Sequence, residues 1–390
     1  MHRLVTVRPA EEMAEAHTIL KDCETHDIDL RFSPLANIPL VAAILQPDET
    51  IHWPSTLYLS EVATLSRSVL GDTVLSYARS LLAWLNYLAD RGLAFTDATE
   101  RDLQLFRNFV WNSKKSRLSQ SPLPIARNTV TARVETARRF HEWGEKTQRF
   151  SSPLGIWSKT HANDVKLNRQ GRPYFSSGSA LTLPSEQRIP KIITANQLRR
   201  IIKSAPEPYS LMFKWAVTTG LRRMELCELT NARFSTISYH GSGGHVMSFE
   251  TIRKGGRQVT AYLPAKLLHD TRWYMNMSRA KPQKGAEPFV FLTQSGCKVQ
   301  REELSRAFRY FANQAGTSSV FHHLRHTYAV TTLEILQRQA NLGSSINPLK
   351  TLQLLMGHAN VSSTEIYLAA LDIYSDDVAE ALDFLYGAAV

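Results

Sequence analysis

Apolar side chains between residues 73 and 92 recur every three or four positions, the spacing of one face of an α-helix. These residues are Val74, Tyr77, Ala78, Leu81, Leu85 and Leu88. Gly92 follows, and glycine is a common helix terminator because it accepts positive φ. The pattern predicts an amphipathic helix that begins near Thr73.

Two more helices are expected downstream. Thr99 and Asp102 have the spacing of a capping box ahead of the apolar residues Leu103, Phe106 and Val110. A further helix from Thr129 to Lys146 would bury Val130, Val134, Ala137 and Phe140. Together these elements predict a small, all-helical domain over residues 57–150.

The flanking segments have weaker patterns. Five prolines interrupt residues 1–56, which we interpret as an N-terminal extension of unclear role. Residues 151–190 show no sustained periodicity and mix Ser, Gly and Pro with basic side chains, which predicts an extended basic linker. A linker of this length favours two domains held apart, for instance on opposite faces of a duplex.

Residues 191–390 again show regular elements. The pattern predicts a buried helix that ends at Gly220 and another that begins directly after it. It also predicts a β-hairpin, in which VMSFETIR and RQVTAYLP are the strands and Lys254-Gly255-Gly256 is the turn. Asn347-Pro348 begins a short helix that stops at Gly357, and Ser362 with Glu365 begins the next. The fold class is therefore mainly α, with a small antiparallel β region in the second domain.

Composition and charge narrow the class of protein. With 390 residues and 43% hydrophobic positions, the chain is long enough for two or three folded domains of about 100–200 residues each. The formal net charge of +11 favours a polyanionic partner, either nucleic acid or an acidic membrane surface.

Location and redox state are also suggested by the sequence. No apolar run reaches the about 18 residues of a membrane span, and the N-terminus lacks a secretion signal, so we expect a cytoplasmic protein without a membrane partner. The three cysteines, Cys23, Cys227 and Cys297, are far apart and not in CxxC pairs, which indicates reduced thiols.

Several residues could carry chemistry, and each has an ordinary structural alternative. Arg222, at the start of a helix, can present its planar guanidinium to an anion, or simply pair with Glu225 one turn later. Lys254 at the hairpin tip can approach a DNA groove or a leaving oxygen, or merely aid solubility.

The third cluster is His322-His323-Leu324-Arg325-His326. His322 and Arg325 share a helix face, which directs a hydrogen-bonding group and a cation to one place. His322 and His326 could instead bind a metal, but the glutamate of an HExxH motif is missing, so no metal site is predicted. Further on, His358 directly follows Gly357, and Tyr367 is either functional or part of the core.

Read together, these clusters resemble the tyrosine recombinase, or phage integrase, family. The resemblance lies in TTGLRRMEL, HHLRHTYAV and LLMGHANVSSTEIYL, in this order, with Tyr367 nine positions after His358. It covers residues 191–390 and, more loosely, the helical segment 57–150. It implies a two-domain, C-shaped DNA clamp with a SAM-like core-binding domain (57–150) and a catalytic domain (191–374).

The resemblance also implies roles for individual residues. Arg222 and Arg325 would hold the non-bridging oxygens of a scissile DNA phosphate, with further hydrogen bonds from His322 and His358. Lys254 would protonate the departing 5′ oxygen, and Glu225 would orient the site. Tyr367 would attack phosphorus and form a 3′-phosphotyrosyl intermediate, without metal, ATP or other cofactor.

The resemblance implies that the partner is double-stranded DNA with inverted-repeat core sites, bound by a homotetramer on two sites. It leaves open whether accessory proteins take part and whether the protein is a monomer when free in solution. The protein would thus be nucleoid-associated and catalyse DNA integration, excision or transposition. Alternatives are a type IB topoisomerase-like monomer, with much the same residues, and a non-catalytic DNA-binding protein of this fold.

Basic residues in the helical domain are candidates for contacts to DNA phosphates, although a solvated basic face would look the same. They are Lys114, Lys115, Arg117, Arg127, Arg133, Arg138 and Arg139.

Two segments depart from the family pattern or extend it. Arg325 and His358 are 33 positions apart, more than expected, and residues 337–347 look like an insertion that contacts DNA or a partner. Residues 375–390 carry an apolar stripe at helical spacing, which predicts a helix that docks on a neighbouring protomer or on its own domain.

Overall fold

A computed structural model describes residues 1–8, 38–66, 68, 70–113, 125–162, 165–167, 173–175, 189–240, 246–253, 257–358 and 361–373. The described residues form two compact units, one within residues 1–187 and one within residues 188–390. Among the described residues, no helix is both long enough and apolar enough to cross a membrane. The predicted C-terminal helix over 375–390 lies outside the described residues.

The first unit combines helices with two small antiparallel strand pairs. Its helices are α1 (Trp53–Leu65), α2 (Asp72–Ala89), α3 (Glu100–Asn112), α4 (Arg127–Lys146) and α5 (Pro153–Ala162). Its strands are β1 (Arg3–Val7), β2 (Val41–Leu45), β3 (Val165–Leu167) and β4 (Pro173–Phe175). Strand β1 pairs with β2, and β3 pairs with β4.

The three helices predicted here from periodicity are confirmed as α2, α3 and α4. Thr99 is the N-cap of α3: its hydroxyl accepts from the Asp102 backbone N–H, while the Asp102 carboxylate accepts from the Thr99 backbone N–H. This reciprocal capping satisfies two backbone donors that the helix leaves open. The apolar faces of α2, α3 and α4 then meet in one core around Trp84, Phe106 and Phe140.

The N-terminal segment contributes to this core. Leu40, Ala42 and Ile44 are buried beside the helices, because alternate residues of a strand point to the same side. Helix α1 was not predicted, since its apolar residues are spread around its circumference and give no single stripe. The His52 side chain caps it, and Pro54 occupies its first turn, where the missing N–H costs nothing.

The predicted linker begins with a helix instead. Residues 153–162 form α5, so the prediction of an extended segment is wrong there. Ser152 precedes the helix, and its hydroxyl accepts from the Gly155 backbone N–H, while Leu154 is fully buried. The Ser-Pro pair at 152–153 is an N-cap signal, and tertiary packing supplies the stability that a short, weakly periodic helix lacks.

A buried polar chain joins α2, α4 and α5. The Trp84 indole N–H donates to His141 Nε2 at 2.9 Å, and His141 Nδ1 lies 2.8 Å from Ser152 Oγ. Because an indole can only donate, His141 Nε2 is the acceptor and its Nδ1 carries the proton. Complete burial of His141 lowers the pKa of its imidazole to about 3, so the ring is neutral in the folded protein.

The second unit is mainly helical with one three-stranded antiparallel sheet. Its helices are α6 (Ala195–Ser204), α7 (Tyr209–Thr219), α8 (Arg223–Cys227), α9 (Ala265–Met277), α10 (Arg301–Gln314), α11 (His322–Asn341), α12 (Pro348–Met356) and α13 (Ser362–Ile373). Its strands are β5 (Ser238–His240), β6 (Val246–Arg253) and β7 (Arg257–Pro264), in the order β5-β6-β7.

Two apolar clusters hold this unit together. The larger one contains Trp215 and Phe213 of α7 with Phe308 of α10, and it receives Phe249 and Ala261 from the sheet. The smaller one gathers residues of α11, α12 and α13 around Leu333, Leu352 and Tyr367. The mainly helical fold class with a small antiparallel sheet is thereby confirmed, as are the strands β6 and β7.

Some boundaries differ from expectation. Helix α13 begins at Ser362 itself, so that residue is inside the first turn rather than before it. Residues 337–341 of the predicted insertion are the last turns of α11, and the rest form the connection to Asn347, the N-cap of α12. Cys227 and Cys297 are free thiols, and Cys23 lies outside the described residues.

The buried His141 makes stability depend on pH. In the unfolded chain this imidazole is protonated below pH 6.5, whereas in the folded chain it stays neutral down to about pH 3. Stability contributed by the neutral ring is therefore full above pH 6.5 and is lost as the pH falls. We expect the stability advantage of wild type over His141→Gln to shrink by about 2 kcal/mol between pH 7.5 and pH 5.

Urea unfolding of the full chain at the two pH values, followed by circular dichroism, measures this difference. Glutamine retains a donor and an acceptor but does not titrate, which isolates the protonation effect. His269→Gln, at a side chain that is 81% exposed, is the control for the substitution itself. An advantage that stays constant with pH would contradict the expectation.

Candidate active site

The turn between α7 and α8 needs glycine. Gly220 ends α7 in the left-handed conformation, with φ of 64°. A Cβ at this position would come within 2.5 Å of Tyr328 Cδ1 on α11, so both backbone conformation and space exclude a side chain. The backbone of α7 therefore reaches α11 closely enough for its last carbonyl to meet side chains there.

Arg222 follows this turn as the N-cap of α8. Its backbone N–H donates to Glu225 Oε2 at 2.8 Å, and its Nη1 donates to Glu225 Oε1 at 3.1 Å. Glu225 is only 3% exposed, whereas the Arg222 side chain is 34% exposed. The ion pair that the spacing suggested is therefore formed, and it orients a guanidinium whose outer edge remains accessible.

Arg325, on the second turn of α11, is 3% exposed. Its Nη1 donates to the Gly220 carbonyl oxygen, and its Nη2 donates to the Met356 carbonyl oxygen at 2.9 Å. The same Nη2 lies 3.2 Å from His358 Nε2. One guanidinium thus joins the end of α7, the end of α12 and the histidine that follows α12.

His358 is fixed on both sides of its ring. Since arginine has no acceptor, His358 Nε2 must accept from Arg325, and the proton resides on Nδ1. Nδ1 then donates to Thr364 Oγ1, 3.0 Å away on α13. Gln353 of α12 holds the loop by donating to the His358 carbonyl oxygen at 3.2 Å. The contacts assign a neutral imidazole with a defined tautomer.

Tyr367 lies on α13 beside this histidine. Its ring is nearly parallel to that of His358, with 6.3 Å between centroids and 15° between planes. The side chain is 4% exposed and belongs to the smaller apolar cluster, so Tyr367 also packs in the core of this unit. Burial raises the pKa of the Tyr367 phenol, while the positive charges of Arg325 and Arg222 act in the opposite direction.

His322 is the first residue of α11, and its ring lies 4.5 Å from that of His326 in an edge-to-face arrangement. Burial lowers the pKa of His322, and the charges of Arg325 and Arg222 lower it further. Both arginines are therefore close enough to influence this imidazole. At neutral pH His322 is uncharged and can donate or accept a hydrogen bond.

The structure thus brings together most of the catalytic residues that were expected from sequence. Arg222 and Glu225 come from α8 and its cap, His322 and Arg325 from α11, and His358 and Tyr367 from the α12–α13 region. Lys254 lies outside the described residues, although the strand ends on either side of the hairpin, Arg253 and Arg257, are paired.

The residues of the first unit that were expected to contact DNA lie in different surroundings. Lys114, Lys115 and Arg117 lie outside the described residues, while the remaining four are on α4. Arg138 is 8% exposed, and its guanidinium contacts Glu135 at 2.8 Å and Glu142 at 3.0 Å.

The other three arginines of α4 are more accessible. Arg139 is exposed and contacts Glu135 and the Tyr77 hydroxyl, whereas Arg127 lies over the Trp111 ring at 5.6 Å. Arg133 is partly buried, and burial lowers the pKa of its guanidinium. The four arginines of α4 therefore do not form one uniform exposed face.

Other groups in the site were missed by sequence reasoning. The carbonyls of Gly220 and Met356 carry no signal in a sequence, and Thr364 is one of several hydroxyls in its segment. The sequence indicates His326 only as a possible metal ligand, because its i, i+4 spacing places it on the helix face of His322. Among the described residues, no group of three or more His, Cys, Asp or Glu side chains is arranged to hold a metal ion.

Comparisons with known proteins agree with this arrangement. Residues 191–372 match the phage integrase family. The tyrosine recombinase XerD of Mycobacterium leprae is 25% identical over 322 residues, which cover 78% of this chain and 88% of that protein. The tyrosine recombinase XerC of Pseudomonas entomophila is 23% identical, with 77% of this chain and 86% of that protein covered.

A solved structure shows the same fold. The post-cleavage complex of the XerH site-specific recombinase with palindromic difH substrate is similar to this chain with a TM-score of 0.53 and 14% identity, over 85% of each chain. Its likeness concerns the fold alone. The family match and the sequence relatives agree with the arrangement of the arginines, histidines and tyrosine and lead to one assignment: residues 191–372 belong to the phage integrase family, that of the tyrosine recombinases.

Proposed function

We propose that this protein is a site-specific DNA recombinase that cleaves and rejoins strands through a 3′-phosphotyrosyl intermediate. The observation that carries the proposal is the convergence of Arg222, Arg325, His322 and His358 on the surroundings of Tyr367. A phosphodiester transition state spreads negative charge over its oxygens, and guanidinium groups and imidazoles can stabilise that charge. The energy of the broken bond is retained in the tyrosyl ester, so no ATP is required.

Each residue has a defined part in this reaction. The guanidinium groups of Arg222 and Arg325 bind the non-bridging phosphate oxygens, and His322 and His358 add hydrogen bonds. The Tyr367 oxygen forms a bond to phosphorus, and the bond from phosphorus to the 5′ oxygen breaks. Lys254 gives that oxygen its proton, and Glu225 holds Arg222 in position. The short distances from Glu225 to Arg222 support the last role.

The two units divide the work on DNA. The catalytic part is residues 191–374, and the first unit, with residues 57–150 at its centre, binds the duplex. For phosphate contacts we favour Arg127, Arg133 and Arg139 of α4 with the basic residues 114, 115 and 117. Arg138 has a structural role instead, because two glutamates hold it in a buried position.

The substrate is double-stranded DNA with inverted-repeat core sites, and the working assembly is a homotetramer on two such sites. The XerH structure, whose substrate is palindromic, supports this arrangement. A palindrome offers two equivalent half-sites, which suits two copies of one protein related by twofold symmetry. Exchange of strands between two duplexes then requires a pair on each.

The direct experiment is covalent capture. Wild type and Tyr367→Phe protein are mixed, in EDTA, with nicked fragments that tile the DNA flanking the gene, and denaturing gels are searched for protein joined to DNA. A nick lets the cleaved end diffuse away, which traps the intermediate. We expect an adduct with wild type only. Fragments that the protein binds in gel shifts but never captures would contradict the proposal.

The division between binding and chemistry predicts a specific phenotype for Arg222→Ala. Loss of one charge-stabilising donor lowers the cleavage rate by at least about 100-fold. The dissociation constant in a gel shift should change by less than about threefold, because many other cations hold the phosphates. Arg199→Ala, at an exposed position of α6, is the control and should leave both quantities unchanged.

Equal losses of binding and cleavage in Arg222→Ala would count against this division. Arg325→Ala should abolish cleavage as well. It also removes the donor for two backbone carbonyls, so its interpretation requires a thermal denaturation measurement alongside.

Thr364 gives a second test of the site geometry. In Thr364→Val the His358 Nδ1–H loses its acceptor, and the tautomer that presents Nε2 to Arg325 is no longer favoured. A neutral hydrogen bond contributes about 1 kcal/mol, so we expect cleavage to slow by about fivefold. Thr364→Ser retains the hydroxyl and should cleave at nearly the wild-type rate. Single-turnover rates on the captured fragment measure both variants, and equal slowing in both would refute the hydrogen-bond explanation.

A further inference from the structure

His326 occupies a position in the site that the proposed mechanism does not use. It lies one turn after His322 on α11, and the two rings are 4.5 Å apart. Its ring is also 5.9 Å from that of Tyr367 on α13, tilted by 55°. The His326 ring therefore neighbours both the histidine at the start of α11 and the ring of the proposed nucleophile.

One nitrogen of this imidazole has no hydrogen-bond partner. His326 Nδ1 is buried, and among the described residues no group donates to it or accepts from it. A buried polar atom without a partner destabilises the folded state, so such atoms are rare in folded proteins. Two other histidines of this region do have partners: His323 Nδ1 accepts from the Val320 backbone N–H, and His358 is bonded through both nitrogens.

The protonation states of His326 and Tyr367 are complementary. Burial lowers the pKa of His326 to about 4, and the neighbouring His322, His323 and Arg325 on the same helix add to this effect. The imidazole is therefore neutral and has a lone pair. Across the contact, burial raises the pKa of the Tyr367 phenol, which must lose its proton to attack phosphorus.

We propose that His326 accepts the hydroxyl proton of Tyr367 during strand cleavage and returns it when the strand is rejoined. The inference rests on the recombinase function proposed above. In the forward step the Tyr367 O–H bond breaks and an N–H bond forms on His326, while the tyrosine oxygen bonds to phosphorus. The bond to the 5′ oxygen breaks, and its electron pair takes a proton from Lys254.

Binding of DNA makes this transfer favourable. In the free protein the charge of Arg325 opposes a second positive charge on His326. A phosphate held by Arg222 and Arg325 brings negative charge to the same place, which stabilises an imidazolium nearby. His326 thus becomes a stronger base when the substrate is present, and the tyrosine stays protonated when it is absent.

The other histidines near Tyr367 fit this role less well. His358 stacks on the tyrosine ring, but its Nε2 faces a guanidinium and its Nδ1 carries a proton shared with Thr364. To accept a proton it would have to lose the contact with Arg325. His322, the first residue of α11, keeps part of its side chain accessible at the surface and is placed to bind the incoming phosphate.

The test compares wild type, His326→Asn and His323→Asn on the nicked duplex that wild type captures covalently. Asparagine places an amide near the position of Nδ1 and can form hydrogen bonds, but it does not titrate. His323→Asn is the matched control on the same helix, since its amide can still accept from Val320. Single-turnover adduct formation is followed from pH 7 to pH 9.5, with gel shifts and thermal denaturation for each variant.

We expect His326→Asn to form the adduct about 100-fold more slowly at pH 7, in line with loss of a general base, while binding DNA normally. The deficit should shrink as the pH rises, because the phenol then loses its proton to solvent. The rate of adduct formation by His323→Asn should stay within about threefold of the wild-type rate, because a substitution without a catalytic role has a small effect.

A second substrate distinguishes proton transfer from Tyr367 from proton transfer to the departing 5′ oxygen. Replacing the bridging 5′ oxygen by sulfur gives a leaving group that needs no proton. With this substrate, cleavage by Lys254→Ala should be restored, whereas cleavage by His326→Asn should remain slow. A wild-type rate in His326→Asn, a deficit that does not vary with pH, or rescue by sulfur would each overturn the inference. Failure of wild type itself to form an adduct would instead overturn the recombinase function.

Discussion

The buried guanidinium of Arg325 is the constraint on which the site depends. Arginine carries five N–H donors, no acceptor and a permanent charge, so each group around it must offer an oxygen or a lone pair. Gly220 and Met356 offer carbonyl oxygens where α7 and α12 end, and His358 offers Nε2. Two segments distant in sequence, at residue 220 and at residues 356–358, are thereby fixed around one side chain. The positive φ of Gly220 and the space beside Tyr328 are what let the first of them approach.

The same charge sets the chemistry of its neighbours. Arg325 and Arg222 lower the pKa of His322, and Arg325 lowers that of His326, in both cases in addition to burial. The site therefore combines permanent cations with neutral imidazoles. The cations can bind phosphate at any physiological pH, whereas the imidazoles remain able to donate and accept hydrogen bonds. Burial has the opposite effect on Tyr367, whose phenol is kept protonated beside them.

The first unit shows that net charge is an incomplete guide to a binding surface. The chain has an excess of 11 positive charges, yet Glu135 and Glu142 engage Arg138 within the fold. Glu135 also contacts Arg139, which remains exposed. Arginines of α4 thus contribute to packing as well as to charge. The buried chain from Trp84 through His141 to Ser152 fixes α5 against α2 and α4, and it consists entirely of uncharged groups.

The sequence by itself determined the strongly periodic helices, the hairpin strands, the glycine stops at 220 and 357 and the order of the site residues, because these depend on local spacing and backbone preference. It did not reveal α1 or α5, whose apolar residues lack a single stripe and whose stability comes from packing. Tertiary structure alone decided that backbone carbonyls bind Arg325 and that the rings of His326 and Tyr367 lie side by side. Such contacts join residues tens of positions apart, and only the folded chain sets those distances.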